Sequence, residues 1–376
     1  MHHLYLGLMS GTSLDGVDGV VVDFVPSGHT SLRVLAHSHR AFEPAFAKEL
    51  LALNGPAKDE LHRAALAGNA LARVYASVVD ELLHQTDVPA TRVRAIGAHG
   101  QTVRHRPREF DGTGYTIQLN NPALLAELTG IDVVADFRSR DLAAGGQGAP
   151  LVPAFHRAVF GRPRETIAVL NIGGIGNLTA LLADGTTLGF DCGPGNALMD
   201  HWCQRHLGQA YDDDGAWAAS GAVIERLLQG LQAEPFFAQP PPKSTGRDLF
   251  NSSWLEMQLH AMPSVAALRP EDVQATLAEL TAWSCCGAIV TSAPWVRKVL
   301  VCGGGARNGY LMDRLAARLS GVEVTTTASA GLAPMQVEAT AFAWLAKAFV
   351  ERQPGNLTAV TGASGPRVLG ALYPAG

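Results

Sequence analysis

Apolar runs broken by small polar residues recur along the chain. Residues 4–9 are apolar, Ser10-Gly11-Thr12-Ser13 are not, and Val20-Val21-Val22 soon restores the run. This pattern predicts strand, tight polar loop, strand. Residues 166–180 repeat it, with Ile167-Ala168-Val169-Leu170 running into Gly173-Gly174 and out through Leu178. A third apolar strand, 298–302, ends in Gly303-Gly304-Gly305 and precedes a helical pattern over 308–319. Further strands are predicted at 32–42, 93–97, 115–119, 132–135, 188–190 and 322–325. Apolar positions at three- and four-residue spacing predict helices over 44–53, 59–84, 122–128, 151–160, 197–207 and 271–290, with another beginning near Glu338. The class is α/β.

The loops carry the candidate chemistry. Small residues let backbone N–H groups approach an anion, hydroxyls add donors, and a nearby carboxylate, Asp15 or Asp18, can hold the Mg²⁺ that accompanies a nucleotide. The same residues also make ordinary hairpin turns. Two such hairpins half a chain apart, followed by a strand–Gly-Gly-Gly–helix, predict a duplicated nucleotide-binding architecture of the actin, hexokinase and Hsp70 type. First and second phosphate loops are followed by an adenosine loop around a central nucleotide cleft. The expected domains are 1–133 with 346–376, carrying the first phosphate loop, and 134–345, carrying the second phosphate loop, Asp191 and the adenosine loop.

Other polar residues fall where strands end. His99, Gln101 and Thr102 follow the 93–97 strand, the usual end for ligands in an α/β sheet. Arg138 and Arg140 stand between Asp136 and Asp141, either as a salt-linked turn or as a fork for a carboxylate. Gly145 to Pro150 reads as a hinge and can line a substrate cleft. Asp191 precedes Cys192-Gly193-Pro194-Gly195-Asn196. Rigid backbone there would present a carboxylate in one orientation, as a general base requires. The competing reading is a cap for the 197–207 helix, a task Asn196 can also perform. Glu338 opens its helix, where a carboxylate suits the dipole or contacts ligand. Lys243-Ser244-Thr245-Gly246-Arg247 lacks the upstream glycines of a Walker loop. Its cations remain available to the cleft.

Composition narrows the classes. At 376 residues, 47% hydrophobic and 17% charged, each half can bury its own core. A net charge of −5 argues against a nucleic-acid or anionic-membrane partner. Five cysteines without metal-like spacing suggest buried thiols in a reducing compartment, hence a cytoplasmic protein. No signal peptide is expected, and the longest uncharged window, 280–296, falls short of a membrane span.

Several stretches together carry a family resemblance. They are Met9-Ser10-Gly11-Thr12-Ser13-Leu14-Asp15-Gly16-Val17-Asp18, Gly100-Gln101-Thr102 with His105, and residues 144–156. Asn171-Ile172-Gly173-Gly174, Asp191 to Asn196, Lys243 to Arg247 and Val301 to Gly305 complete the set. From residue 6 to 374 the chain resembles the anhydro-N-acetylmuramic acid kinases of bacterial peptidoglycan recycling. The resemblance implies an enzyme that uses ATP and water to open the 1,6-anhydro ring of 1,6-anhydro-N-acetylmuramate and phosphorylate O6. The products would be N-acetylmuramate 6-phosphate and ADP. It implies Asp191 as the base for the attacking water. ATP and Mg²⁺ would lie on Gly11, Thr12, Ser13, Leu14, Asp15, Gly16, Val17 and Asp18, with Asp15 toward the metal and Gly173, Gly174, Gly303, Gly304 and Gly305 completing the nucleotide site. Sugar contacts would fall to His99, Gln101, Arg138, Arg140, Gln147 and Glu338. A homodimer is also implied. The alternatives are a conventional sugar or acetate-type kinase of the same fold, and a non-catalytic ATP-dependent switch.

Overall fold

The computed structural model describes residues 4–24, 32–246, 249–262 and 268–376. The chain forms two compact units, 1–159 with 336–376, and 160–335. The first unit holds strands β1 (Leu4–Met9), β2 (Gly16–Phe24), β3 (Leu32–Ala41), β4 (Val93–Ala98), β5 (Gln101–Pro107), β6 (Gly114–Leu119) and β7 (Val133–Ala135). Its helices before the crossing are α1 (Pro44–Ala52), α2 (Glu60–Thr86), α3 (Pro122–Thr129), α4 (Ser139–Ala143) and α5 (Val152–Phe160), the last ending at the boundary. The second unit holds β8 (Ile167–Ile172), β9 (Ile175–Leu181), β10 (Thr187–Pro194), α6 (Ala197–Leu207), α7 (Ala216–Ser220), α8 (Glu225–Gln232), α9 (Pro235–Ala238), α10 (Ser252–His260), α11 (Pro270–Ser292), β11 (Lys298–Cys302), α12 (Gly309–Arg318) and β12 (Glu323–Thr326). The chain then returns to the first unit with α13 (Val337–Val350), α14 (Thr358–Thr361) and β13 (Ala371–Tyr373).

The two sheets repeat one topology. In the first unit the order is β13-β7-β4-β1-β2-β3, and in the second β10-β9-β8-β11-β12. In each, an antiparallel meander of three strands (β1-β2-β3, β8-β9-β10) continues through its first strand into two parallel strands (β4-β7, β11-β12). This is the duplicated mixed-sheet core of the actin, hexokinase and Hsp70-like fold. β5 and β6 form a separate hairpin. The expected division at 133/134 and 345/346 differs from these units because β7 pairs with β4 and β13, and α13 packs on β1 and β4.

In the first unit, α2 and α3 cover one face of the sheet and α13 the other, giving two cores around Leu71, Tyr75 and Leu82, and around Phe342, Ala343 and Ala346. The α13 backbone comes exceptionally close. A Cβ on Gly7 would sit 1.9 Å from Ala339 O, and one on Gly97 2.0 Å from Phe342 O. Only glycine on β1 and β4 admits the helix, and that approach brings Glu338 to the carboxyl ends of both strands. In the second unit α11 is long and apolar enough to cross a membrane by length and composition, a broader stretch than the 280–296 window suggested. Its residues, Val273 through Ile289, pack instead in the core with β9, β10, α6, α8 and α12. The glycine-rich stretch expected to act as a hinge lies inside the first unit. Buried Asp141 ties it down, accepting from Gly148 N at 2.8 Å, Asn356 Nδ2 at 2.6 Å and Thr361 Oγ1 at 2.8 Å.

Candidate active site

In the first unit, parallel strands β1 and β4 end side by side, with Leu8 opposite Ala98. Their carboxyl ends deliver the 10–15 loop and His99-Gly100-Gln101. Ser10 serves the scaffold: its buried hydroxyl donates to Gly100 O at 3.1 Å and lies 3.1 Å from the Tyr75 hydroxyl. The loop then turns, with Leu14 N donating to Gly11 O at 3.3 Å and Leu14 at φ 59°. Thr12 and Ser13 are exposed, and among the described residues the N–H groups of Gly11, Thr12 and Ser13 find no acceptor. The turn leaves these donors free, so the reading as a hairpin turn and the reading as a phosphate loop do not exclude one another. Gly16 and Val17 belong to β2, and Val17 is a core side chain.

Asp15 in the loop and Asp18 on β2 are used differently. Asp18 accepts from His37 Nε2 at 2.9 Å and His39 Nδ1 at 3.1 Å. Among the described residues the carboxylate of exposed Asp15 accepts from Ser13 Oγ alone, at 2.5 Å on Oδ1. It thus keeps an oxygen for a cation. Among the described residues no cluster of three or more His, Cys, Asp or Glu could hold a metal. The donor set fits Mg²⁺, which takes one or two carboxylates plus phosphates and waters.

Buried His99 is hydrogen-bonded to partly buried Arg138, and Glu338 lies within electrostatic reach of that arginine. His99 Nδ1 faces Ser10 O at 3.4 Å, and its Nε2 accepts from Arg138 Nη2 at 2.9 Å. Burial, then Arg138, lowers the imidazole to about 3, so it is neutral. Both ring nitrogens are engaged within the protein, which makes His99 a support for Arg138. Arg138 Nη1 donates to Gly148 O at 2.8 Å. Burial lowers its pKa to about 10, with Glu338 and Asp141 opposing, and it stays cationic. It makes no ion pair among the described residues, so the salt-linked turn does not form. Glu338 is partly buried, and desolvation, reinforced by Asp18 and opposed by Arg138, pushes it up to about 7. Gln101 Nε2 donates to Gly11 O at 3.0 Å, while its buried Oε1 has no partner among the described residues. Arg140 is exposed on α4, and Gln147 is half-buried in the loop that Asp141 holds. Both amide atoms of Asn120 are also buried without partners among the described residues. Sequence reading missed Asn120, because nothing in Leu119-Asn120-Asn121 distinguishes a ligand amide from a helix cap. Asn121 is in fact the cap of α3.

The second unit repeats the arrangement. β8 and β11 end together, with Asn171 opposite Cys302. Gly173 and Gly174 make the β8–β9 turn. Their carbonyls accept from Asn196 N at 2.8 Å, Gly195 N at 2.9 Å and Ala197 N at 3.2 Å. Gly303 has φ 76°, and a Cβ there would lie 2.5 Å from Asn171 Oδ1. Gly305 packs on Ile172, whereas Gly304 is exposed. The three loops at 173–174, 194–196 and 303–305 therefore meet at the carboxyl ends of β8 and β11.

Asp191 lies within β10, which runs beyond the predicted 188–190. A bulge between Asp191 and Gly193 interrupts its pairing with β9. The extra residue re-aims the strand, which is a common device beside functional sites. Asp191 does not cap α6. Its Oδ2 accepts from Ser244 Oγ and Thr245 N, both at 2.9 Å, and its own N–H donates to Lys243 O at 3.0 Å. Asn196 occupies the cap position but directs Nδ2 to Ile172 O at 3.3 Å. Burial raises the Asp191 carboxyl above its ordinary value, against the lowering effect of the Thr245 and Ser244 hydrogen bonds. Lys243 is not offered to a ligand: Nζ donates to the carbonyls of Phe236 and Phe237, each at 3.2 Å, over the Phe236 ring. Arg247 and Asp248 lie outside the described residues.

Comparison with known proteins adds a separate finding. The family model described as anhydro-N-acetylmuramic acid kinase matches residues 3–375. A protein of that name from Variovorax paradoxus (strain S110) is 61% identical, over 99% of this chain and 99% of its own. One from Albidiferax ferrireducens is 60% identical over the whole of both chains, and one from Cupriavidus metallidurans 58% identical over 99% and 97%. Among solved structures, an activator of the 2-hydroxyisocaproyl-CoA dehydratase from Clostridium difficile with bound ADPNP aligns over 93% of this chain and 96% of its own, at 13% identity and a TM-score of 0.48. A ROK hexokinase from Thermus thermophilus aligns over 92% and 99%, at 16% identity and a TM-score of 0.37.

Proposed function

The chain belongs to the anhydro-N-acetylmuramic acid kinase family, and from that premise we propose how its own residues perform the family's reaction. The protein is an ATP-dependent phosphotransferase with an alcohol acceptor. It opens the 1,6-anhydro ring of 1,6-anhydro-N-acetylmuramate and phosphorylates O6, in cell-wall recycling. An inverting glycoside cleavage needs a base for water and an acid for the leaving oxygen. In this reaction the leaving O6 is capped by the γ-phosphoryl group in place of a proton. One carboxylate base and ATP therefore suffice, and the base we assign is Asp191. The observation that carries this assignment is its geometry: one oxygen fixed by two donors, the other without a donor among the described residues.

In this reading the free N–H groups of Gly11, Thr12 and Ser13 form a phosphate-binding loop of the first unit, and the turns at Gly173-Gly174 and Gly303-Gly304-Gly305 form nucleotide-binding loops of the second. Asp15 would hold Mg²⁺, which when bound neutralises phosphate charge. Arg138, cationic and without an ion pair among the described residues, takes the lactyl carboxylate of the sugar. Gln101 Oε1 and the Asn120 amide, without partners among the described residues, are suited to its hydroxyls and acetamide. Five buried cysteines, none of them in a disulfide, support a cytoplasmic location. The reading includes a homodimer, which sedimentation equilibrium tests.

The deciding experiment is product mass spectrometry after incubation with MgATP and 1,6-anhydro-N-acetylmuramate in ¹⁸O-water. One phosphoryl group and one labelled oxygen at C1 are expected. A phosphoryl group without label would make the protein a conventional sugar kinase and remove the water-activating role from Asp191.

A further inference from the structure

Asp191 sits on β10, an edge strand of its sheet, and the segment 243–245 runs along that edge. The two are bound at three points. Asp191 N–H donates to Lys243 O, and Asp191 Oδ2 receives both the Ser244 hydroxyl and the Thr245 N–H. Oδ1 receives no hydrogen bond from the described residues. The segment is itself anchored, since Lys243 Nζ is held by the carbonyls of Phe236 and Phe237 and rests 4.6 Å from the Phe236 ring centre. That ring packs edge-on against Phe250, which packs in turn against Trp254. The strap therefore has a rigid foundation in the core.

We propose that segment 243–245 is the positioning element of the base: Ser244 and the Thr245 N–H hold Asp191 Oδ2, so that Oδ1 alone takes the proton of the attacking water. This rests on Asp191 being the base. A carboxylate free to rotate would offer either oxygen and spend part of its time misaligned, and fixing one oxygen removes that loss. The two donors also stabilise the charged form, offsetting the desolvation that a water-excluding site imposes. Ser244 thus balances reactivity against ionisation: without it the base is stronger but less often deprotonated. Among the described residues, the titratable groups beside Asp191 are the buried thiols Cys192 and Cys285, and Lys243, whose ammonium is turned to the Phe236 and Phe237 carbonyls.

The test is the pH profile of kcat/KM for S244A, with S244T and D191N alongside. Ser244 is exposed, and an unchanged circular dichroism spectrum and melting temperature will verify the S244A fold. Loss of a donor to the carboxylate raises its pKa, so the acid limb of S244A should move to higher pH by about half a unit to one unit. The plateau should fall by roughly threefold to tenfold, and S244T should restore both. A merely structural serine would lower the plateau without moving the limb. A superimposable limb for S244A overturns the positioning role. If D191N is at the same time inactive, the base assignment stands and only the strap is lost. Near-normal turnover of D191N would overturn the base assignment, and the strap with it.

Discussion

Asp191 and Glu338 are both raised by burial, yet their neighbours differ. Asp191 is raised by burial alone and opposed by two donors, an arrangement that favours the ionised form a base requires. D191N should keep the fold and lower kcat by about 10²- to 10⁴-fold, measured by steady-state kinetics. Glu338 instead has Asp18 and Asp15 nearby. Its folded pKa, about 7, exceeds the ordinary carboxyl value of 4.5. The native state therefore binds the extra proton between those values, and wild-type stability declines as pH rises through that window. E338Q should match the wild type near pH 4.5 and melt at higher temperature above pH 7, by calorimetry at both pH values. A constant difference would mean that Glu338 is not raised. R138A should weaken sugar binding by about tenfold to a hundredfold while leaving ATP binding nearly intact, by titration calorimetry. Equal loss of both would point to misfolding.

At the scale of elements, the approach of α13 to β1 and β4 sets a strict limit. G97A should destabilise the protein by about 3 kcal/mol or more, because the clash is with backbone that cannot repack. Thermal unfolding measures this, and a near-neutral substitution would refute the packing described. The same elements explain what the sequence made legible. Strands with continuous apolar runs, β1, β8 and β11, were plain, and so were the glycine loops that follow them. β5 was not, since Gln-Thr-Val-Arg-His-Arg-Pro has almost no apolar face. Short α4 and α14 had too few residues for a periodicity, and β10 was cut short because Cys-Gly-Pro looks like a loop although a bulge carries the strand through it. The Ser244 contact was invisible for another reason. It joins residues 53 apart in sequence, and no local propensity encodes such a pair.

At the scale of the whole chain, the repeated strand order was foreseeable from the spaced glycine hairpins, whereas the boundaries were not. A boundary depends on which sheet a short strand joins, and Val133–Ala135 offers only three residues to decide it. Five of the six tryptophans, Trp202, Trp217, Trp254, Trp283 and Trp295, lie in the second unit, and Trp344 lies on α13. The fragment 1–335 should therefore retain most native tryptophan fluorescence, while amides of β1 and β4 exchange rapidly with solvent. Protection of those amides in the fragment would show that the first unit forms without α13.

That distribution has a consequence for synthesis. The second unit is one unbroken stretch, while the first needs α13 to cover a whole face of its sheet. As the chain leaves the ribosome, β1 and β4 emerge early but must wait, their Phe342-facing surface uncovered, until nearly all of the protein has been made. The part encoded later is thus the one that can finish folding first, and the growing chain's period of greatest exposure to aggregation falls on its opening strands.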